Sequence, residues 1–215
     1  AAAGAPSHSI HLKPLAEDAL SLPVRTGKAR VIGIEPASLV TKSLVREVNT
    51  DDAGCFQSAL NPGLTKIAVI ERHKRTGKLG IGILEGYGLT GGAIATTISH
   101  DSHNIVVAGD NDPDMLLAVR ELADMGGGIV SVHGGAIRRL PLPIAGLMTS
   151  ADPQEVNAVL HDMLVAARAE LGIPEDVEPF MTLSFMALPV IPELKLTARG
   201  LFNVNTFSFV GVEAD

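Results

Sequence analysis

The sequence predicts an α+β fold with a mixed, largely antiparallel sheet and two main helices, at about residues 112–125 and 152–171. Three observations lead to this prediction. Short apolar, β-branched runs recur along the chain, and two of them flank a basic, glycine-containing turn that indicates a β-hairpin. Only two long stretches place apolar residues at helical spacing. No internal repeat divides the chain, so these elements are expected to form one domain.

The predicted strands are apolar runs that stop at proline, glycine or polar turn residues. They fall at residues 29–34, 66–71, 79–84, 93–99, 105–108, 129–132, 136–140 and 201–210. Residues 38–48 carry apolar side chains at a spacing that fits either a short helix or two strand fragments.

Both predicted helices begin with a capping signal. Asp110 or Asp112 is the expected N-cap of the first, with Pro113 in its first turn. The second is expected to open at Asp152 and to stop at Gly172.

The composition is that of a folded protein with an aliphatic core. Of the 215 residues, 46% are hydrophobic but only 3% are aromatic, and Trp is absent. The formal net charge of −7, with scattered Lys and Arg, argues against nucleic acid or an anionic membrane surface as partners. The single Cys55 excludes an intramolecular disulfide framework and suits a reducing cytoplasm.

Residues 1–22 are predicted to be an N-terminal linker segment, because prolines punctuate them and no periodicity persists. The folded domain is expected over residues 23–215. No apolar run approaches the ~20 residues of a membrane-spanning helix, and the first residues lack the basic and apolar regions of a signal peptide. A soluble, cytoplasmic protein is therefore expected.

Several familiar catalytic signatures are absent from the sequence. Residues 80–85 begin like a dinucleotide fingerprint but have Glu85 in place of the third glycine and lie inside a predicted strand, which favours glycines that serve packing. A Walker-type phosphate loop, a Gly-x-Ser-x-Gly elbow and a His-Glu-x-x-His helix are also missing. Phosphoryl transfer, acyl transfer and zinc proteolysis lose support.

The densest polar cluster is the stretch 99–104, between two apolar, β-branched runs. Its members are Ser99, His100, Asp101, Ser102, His103 and Asn104. As a strand, the stretch would divide these side chains between two faces; as a tight loop, it would let both imidazoles and the carboxylate converge. A carboxylate beside a histidine fixes its tautomer and raises its basicity, as a general acid or base near neutral pH requires. The alternative is a structural network between two strands, and a complete metal site within four residues would be strained.

Three other polar residues could support such a site. Glu71 and His73 end a predicted hairpin strand and share one face, although a solvated hairpin end is the simpler explanation of both. His133 follows a predicted strand and precedes two glycines, which would let a ligand or another backbone approach closely.

Five ordered motifs resemble the C-terminal domain of bacterial adenine deaminase, in the amidohydrolase superfamily. The similarity extends from about Pro23 to Val210. The motifs lie at residues 66–73, 99–107, 109–112, 140–148 and 180–197.

This resemblance implies a hydrolase that converts adenine and water to hypoxanthine and ammonia in purine salvage and adenine catabolism. It also implies a dinuclear iron or manganese centre in an amidohydrolase barrel that precedes this domain, and a homo-oligomer. The barrel is not in this sequence, which lacks a His-x-His pair. Its 215 residues are also too few for this domain together with a barrel, which by itself usually takes ~250 residues. The chain is thus expected to hold no metal, to be the tail of a larger enzyme and to be inactive alone.

The resemblance further implies that stretch 99–104 closes over the mouth of the barrel. His100, Asp101 and His103 would then transfer protons or orient the ring, and Ser99, Ser102 and Asn104 would bind the purine. Two other hypotheses stay open: a non-catalytic domain that supports the barrel and the oligomer, and a free-standing small-molecule binding module.

Overall fold

The computed structural model describes residues 9–214, in which three α-helices occur: α1 (Asp112–Asp124), α2 (Pro153–Ala169) and α3 (Pro179–Phe185). Within that range none of them has the length and apolarity to cross a bilayer. The strands of the same range are β1 (Lys28–Ile34), β2 (Thr41–Glu47), β3 (Leu64–Ile70), β4 (Leu79–Glu85), β5 (Gly92–Thr96), β6 (Ile105–Gly109), β7 (Gly128–His133), β8 (Ala136–Pro141), β9 (Leu194–Thr197), β10 (Gly200–Asn203) and β11 (Ser208–Phe209).

Eight strands form one sheet in the order β2-β1-β4-β3-β6-β5-β7-β8. All neighbours in this sheet pair antiparallel, except β1 and β4, which are parallel. The other three strands form a small antiparallel sheet, β11-β10-β9. The prediction of an α+β fold with a mixed, largely antiparallel sheet is confirmed.

The centre of the large sheet is buried on both faces, and the alternation of side chains along β3 shows how. Ile67 and Val69 join a core that includes residues of α2, α3 and the small sheet. Ala68 and Ile70 face the opposite way, into a core shared with α1. Because both faces are covered there, the central strands β5 and β6 are buried at every position and lack the polar alternation of a solvated sheet.

Both predicted helices form, although the cap of the first was wrong. The N-cap of α1 is Asn111, whose side chain accepts a hydrogen bond from the N–H of Asp114 at 2.9 Å. Asp110 instead accepts from the backbone N–H at the start of β5, and the side chain of Asp112 pairs with the buried Lys66. In α2 the predicted cap is confirmed, because Asp152 accepts from the N–H of Gln154 at 2.8 Å.

The secondary structure of two regions could not be assigned from the local sequence alone. Residues 38–48, which fitted either a helix or strand fragments, contain the single strand β2, held in register along the whole of β1. Helix α3 was not predicted, because Phe180 to Phe185 is an apolar run without a clear period. The start of the helix is marked by Pro179 and by the side chain of Glu178, which accepts a hydrogen bond from the N–H of Met181.

Both ends of the described chain pack on the domain. Residues 1–8 of the predicted linker segment lie outside the described residues, but further along it Leu20 and Leu22 are buried in the core. At the other end the backbone of residues 212–214 runs beside β1, where the N–H of Arg30 donates to the carbonyl of Val212 at 2.6 Å and the N–H of Ala214 donates to Lys28.

The glycines of β4 serve packing, as the sequence indicated. A Cβ atom on Gly80 would lie 2.0 Å from the carbonyl oxygen of Thr197, so the backbone of the small sheet sits directly on β4. On Gly82 the same atom would meet Leu196 at an ordinary 3.5 Å. The dinucleotide-like spacing of residues 80–85 therefore reflects contact between two sheets.

Candidate functional site

The polar stretch 99–104 forms a tight loop between the central strands β5 and β6. The N–H of His103 donates to the carbonyl of Ser99 at 2.5 Å, which closes the loop, and His103 has a positive φ of 47°. The N–H of His100 donates to the carbonyl of Ser184 at the end of α3. Of the two geometries that the sequence allowed, the loop is the one that forms.

The loop has a buried base and an accessible tip. Ser99 and Asn104 are buried at its two ends, with 0% and 9% of their surface exposed. His100 and His103 are half-buried, whereas Asp101 and Ser102 are exposed. The fold thus holds the ends of the loop and leaves its four middle residues within reach of a partner.

The two imidazoles of the loop lie together. The rings of His100 and His103 are 5.5 Å apart edge to face, and His100 also packs on Phe185 at 4.6 Å. The Nδ1 atom of His103 accepts from the N–H of Ser99 at 3.3 Å. Burial, together with the nearby His100 and Arg72, lowers the pKa of His103 below its ordinary 6.5, so this imidazole is neutral at pH 7. With Nδ1 accepting, the proton of the neutral ring resides on Nε2.

Asp101 does not join the imidazole pair. Within residues 9–214 its carboxylate forms neither a hydrogen bond nor an ion pair with His100 or His103, so the pairing that the sequence suggested is not formed. The side chain instead lines a cleft of about 750 Å³, together with Ser102 and Asn104. His100 lines a second, apolar cleft of about 370 Å³ between the loop and α3. The loop therefore separates two clefts, with carboxylate and amide on one side and imidazole on the other.

Glu71 and His73 lie beside the loop but are engaged by the local fold. The carboxylate of Glu71 accepts hydrogen bonds from the backbone of His73 and Lys74 and from both the N–H and the hydroxyl of Thr76. Burial raises the pKa of Glu71, but these hydrogen bonds outweigh it and hold the pKa at about 2. The Nε2 atom of His73 lies 2.8 Å from the carbonyl oxygen of Ser102, so this imidazole contacts the loop directly.

His133 is not brought to the loop. It pairs with Gly92 at the start of β5, whereas the loop follows Thr96 at the other end of that strand. The separation along the strand is roughly 14 Å. The Nδ1 atom of His133 contacts the carbonyl of Gly91 at 2.8 Å, which ties the imidazole to the turn before β5.

Comparison with known proteins identifies the family of this domain. A family model described as the adenine deaminase C-terminal domain matches residues 38–208. The chain belongs to this family. The resemblance drawn from the five motifs is thereby confirmed.

Relatives of this adenine deaminase C-terminal domain carry the same name. The chain is 58% identical over 205 residues to an adenine deaminase from Nitratidesulfovibrio vulgaris, covering 95% of this chain and 35% of that protein. It is 44% identical to an adenine deaminase from Clostridium acetobutylicum and 47% identical to adenine deaminase 2 from Carboxydothermus hydrogenoformans, again over 95% of the chain and 36% of each relative. The chain thus spans about a third of the length of the relatives it matches.

The donor groups of this domain do not fit a dinuclear metal centre of the kind that the resemblance implies for the preceding barrel. Such a centre needs several imidazole and carboxylate ligands around each ion. Among the described residues, no group of three or more His, Cys, Asp or Glu side chains is arranged to hold a metal ion. No chemical step is therefore assigned to a metal held by these side chains.

Arg72 is the residue of the site that sequence analysis missed. Its backbone N–H donates to the side-chain oxygen of Asn104 at 3.4 Å, and its guanidinium donates to the carbonyl of His103. The signal was available, since Arg72, two residues after the end of the buried strand β3, alternates with the more exposed Glu71 and His73 and so points inward. The contacts of Arg72 could not be predicted, because its partners come from segments that are distant in the sequence.

Ser99 offers a separate test of the site, because its buried hydroxyl has no hydrogen-bond partner among the described residues. An unpartnered buried hydroxyl gives the fold no hydrogen bond while it loses its contact with water, so Ser99→Ala should leave the free energy of unfolding unchanged or raise it by up to about 1 kcal/mol in urea unfolding. Ser131→Ala is the matched control, since Ser131 carries an equally unpartnered hydroxyl in β7. A clear loss of stability in the Ser99 variant alone would show that its hydroxyl is engaged within the domain.

Proposed function

We propose that this chain is the C-terminal part of an adenine deaminase, which hydrolyses adenine to hypoxanthine and ammonia, and that loop 99–104 closes over the active site of a preceding amidohydrolase barrel. The family match and the names of the relatives support the reaction. The chain's own contribution rests on the loop.

The observation that carries the proposal is the division of the loop into a fixed base and a free tip. The buried Ser99 and Asn104 hold the ends, while Asp101 and Ser102 are exposed. Polar groups that only stabilised the domain would bond to it, yet the carboxylate of Asp101 forms no hydrogen bond or ion pair with another described side chain or backbone group. A free carboxylate at the exposed tip of a loop suits contact with a substrate or a second domain.

The loop residues match the proton demands of deamination. Attack of water on the C6 atom of adenine must deliver a proton to the purine ring and another to the departing amine. The Nε2–H of the neutral His103 ring can donate a hydrogen bond that orients the purine, and the carboxylate of Asp101 can accept a proton from the attacking water and pass it on. Ser102 and Asn104 line the same cleft as Asp101, where they can donate to the edge of the purine. The metals implied by the family would be ligated by the barrel, and no step here is assigned to them.

Exposed apolar side chains around the same cleft support a covering domain. Phe207, Val190 and Phe209 are 77%, 67% and 43% exposed, and all three line the cleft that contains Asp101. Apolar groups gathered around one cleft are typical of a surface that another domain or subunit covers. We expect the barrel to cover this side, and we expect the whole enzyme to be a cytoplasmic homo-oligomer.

The proposal is tested by comparing the full-length enzyme with this chain alone. The full-length enzyme, loaded with iron or manganese, should release ammonia and hypoxanthine from adenine. This chain alone should release neither, and calorimetry should detect no binding of adenine or hypoxanthine. A full-length enzyme that is folded and metal-loaded but inactive on adenine would overturn the proposed reaction. Binding of adenine to the isolated chain would instead favour a free-standing binding module.

The contacts between the loop and the fold favour one other candidate, a domain without catalytic residues. His73, Arg72 and Ser184 all bond to the backbone of the loop, as a purely structural connection would require. This candidate predicts that substitutions at the loop tip reduce thermal stability more than turnover. The proposed function predicts the reverse.

A further inference from the structure

Arg72 is a buried cation without a carboxylate partner. Only 1% of its surface is exposed, and the ion pairs formed among residues 9–214 do not include it. A buried charge is costly unless hydrogen bonds replace its lost water. Its position is therefore explained only by the oxygen atoms that surround it.

Those oxygen atoms belong to three segments that are far apart in the sequence. One terminal nitrogen donates to the carbonyl and the hydroxyl of Ser9, at 3.2 and 2.9 Å. The other terminal nitrogen donates to the carbonyl of Ala145 at 3.0 Å, and Nε donates to the carbonyl of His103. One planar group thus joins the N-terminal segment, the polar loop and the turn after β8.

The space around the guanidinium is fitted to it. A Cβ atom on Gly146 would lie 2.9 Å from one of its terminal nitrogens, so glycine at this place leaves room for the charge. The backbone N–H of Arg72 adds a contact to the side chain of Asn104, the last residue of the loop. Two consecutive residues at this end of the loop are therefore held by Arg72.

We propose that Arg72 is the positioning residue of loop 99–104. Its guanidinium fixes His103 by binding the backbone carbonyl of that residue, and its backbone N–H fixes Asn104 by binding the side-chain oxygen of that residue. This role in catalysis rests on the proposed function, whereas the role in ordering the loop does not. Lysine cannot replace it, because an ammonium is a point charge, while the planar guanidinium directs donors to several carbonyls at fixed angles.

The ordering role is tested on this chain by amide hydrogen exchange. In Arg72→Lys, the amide of His103, which donates to Ser99, should exchange about tenfold faster, while the amide of Val107 in β6 stays protected. Arg30→Lys is the matched control, since Arg30 also donates to backbone carbonyls, those of Gly211 and Glu213, but far from the loop. Unchanged exchange at His103, or equally faster exchange at Val107, would overturn the ordering role.

The catalytic role is tested in the full-length enzyme by a double-mutant cycle. Because a displacement of about 1 Å can cost 10²-fold in rate, Arg72→Lys should lower kcat by about 30-fold, with Arg30→Lys within about twofold of the wild type. In the background of His103→Asn, the same lysine substitution should lower kcat by less than about threefold, since the group that it positions has been removed. Independent, multiplicative losses would overturn the assignment.

The two proposals fail in different ways. An inactive wild-type enzyme would reject the adenine deaminase function while the exchange measurement still decides whether Arg72 orders the loop. An active enzyme whose turnover is unaffected by Arg72→Lys would reject the positioning role alone. If the lysine variant fails to fold, Ser9→Ala, which removes a single bond to the guanidinium, should give a smaller increase in exchange at the same amide, and an unchanged rate would overturn the role.

Discussion

His103→Asn should lower kcat of the full-length enzyme for adenine by about 100-fold while leaving thermal stability close to that of the wild type. Asparagine is the informative replacement, because it tolerates the positive φ of 47° at this position. Its side-chain oxygen can also accept the bond from the N–H of Ser99 that Nδ1 now accepts. Only the titratable ring is removed, so steady-state kinetics beside a thermal melt separate chemistry from folding.

Two companion variants sharpen this result. Asp101→Asn should also lower kcat by about 100-fold or more without loss of stability, because the carboxylate has no bond within the described fold to lose. His103→Ala should lose both activity and stability, since alanine neither favours a positive φ nor replaces the bond to Ser99. Normal turnover in a folded asparagine variant at either position would instead assign the loop a structural role.

Gly80→Ala should destabilise the domain by about 3 kcal/mol, which corresponds to a fall in Tm of roughly 6–12 °C for a chain of this size. The new methyl group would lie 2.0 Å from the carbonyl oxygen of Thr197 and 3.0 Å from the backbone nitrogen of Gly200. Backbone atoms cannot rotate away as a side chain can, so the small sheet must shift as a body. Differential scanning calorimetry of the purified chain measures the effect.

Gly82→Ala is the control for this substitution. Gly82 lies two residues along the same strand and faces the same way, but the nearest atoms to its added methyl group would be side-chain atoms of Leu196 and Ile67 at 3.5 and 3.6 Å. Its cost should stay below about 1 kcal/mol. Equal losses in both variants would attribute the effect to strand propensity instead of the contact between sheets.

Local signals were sufficient for most of the elements. Helix α1 was predicted to within one residue at its C-terminus, because apolar spacing, acids and proline all lie within a few residues of one another. The predicted cap was wrong because Asp110, Asn111 and Asp112 can each act as an N-cap by their chemistry. The side chain of Asp112 does not cap the helix, since it pairs with the buried Lys66 on β3. Such a choice depends on a contact that the local sequence does not contain.

Non-local partners decided the rest. Strand β2 forms because β1 lies beside it. Helix α3 packs on β5 and β6 of the large sheet, whereas its apolar run by itself has no preferred period. In the site, the sequence located the polar loop but could not orient it, so the expected contact between Asp101 and an imidazole was not found. Arg72 escaped notice because each oxygen atom that it binds comes from a different part of the chain.

The backbone of residues 212–214 alongside β1 has a consequence for the order in which the molecule is assembled. Ala29 and Glu213 form a bridge although nearly the whole sequence separates them. Loop closure over such a distance raises the contact order and slows folding. During synthesis, the side of β1 that faces away from β2 therefore lacks a partner over its first residues until the far end of the domain has left the ribosome. The polar loop and its two neighbouring strands, by contrast, are complete long before that moment.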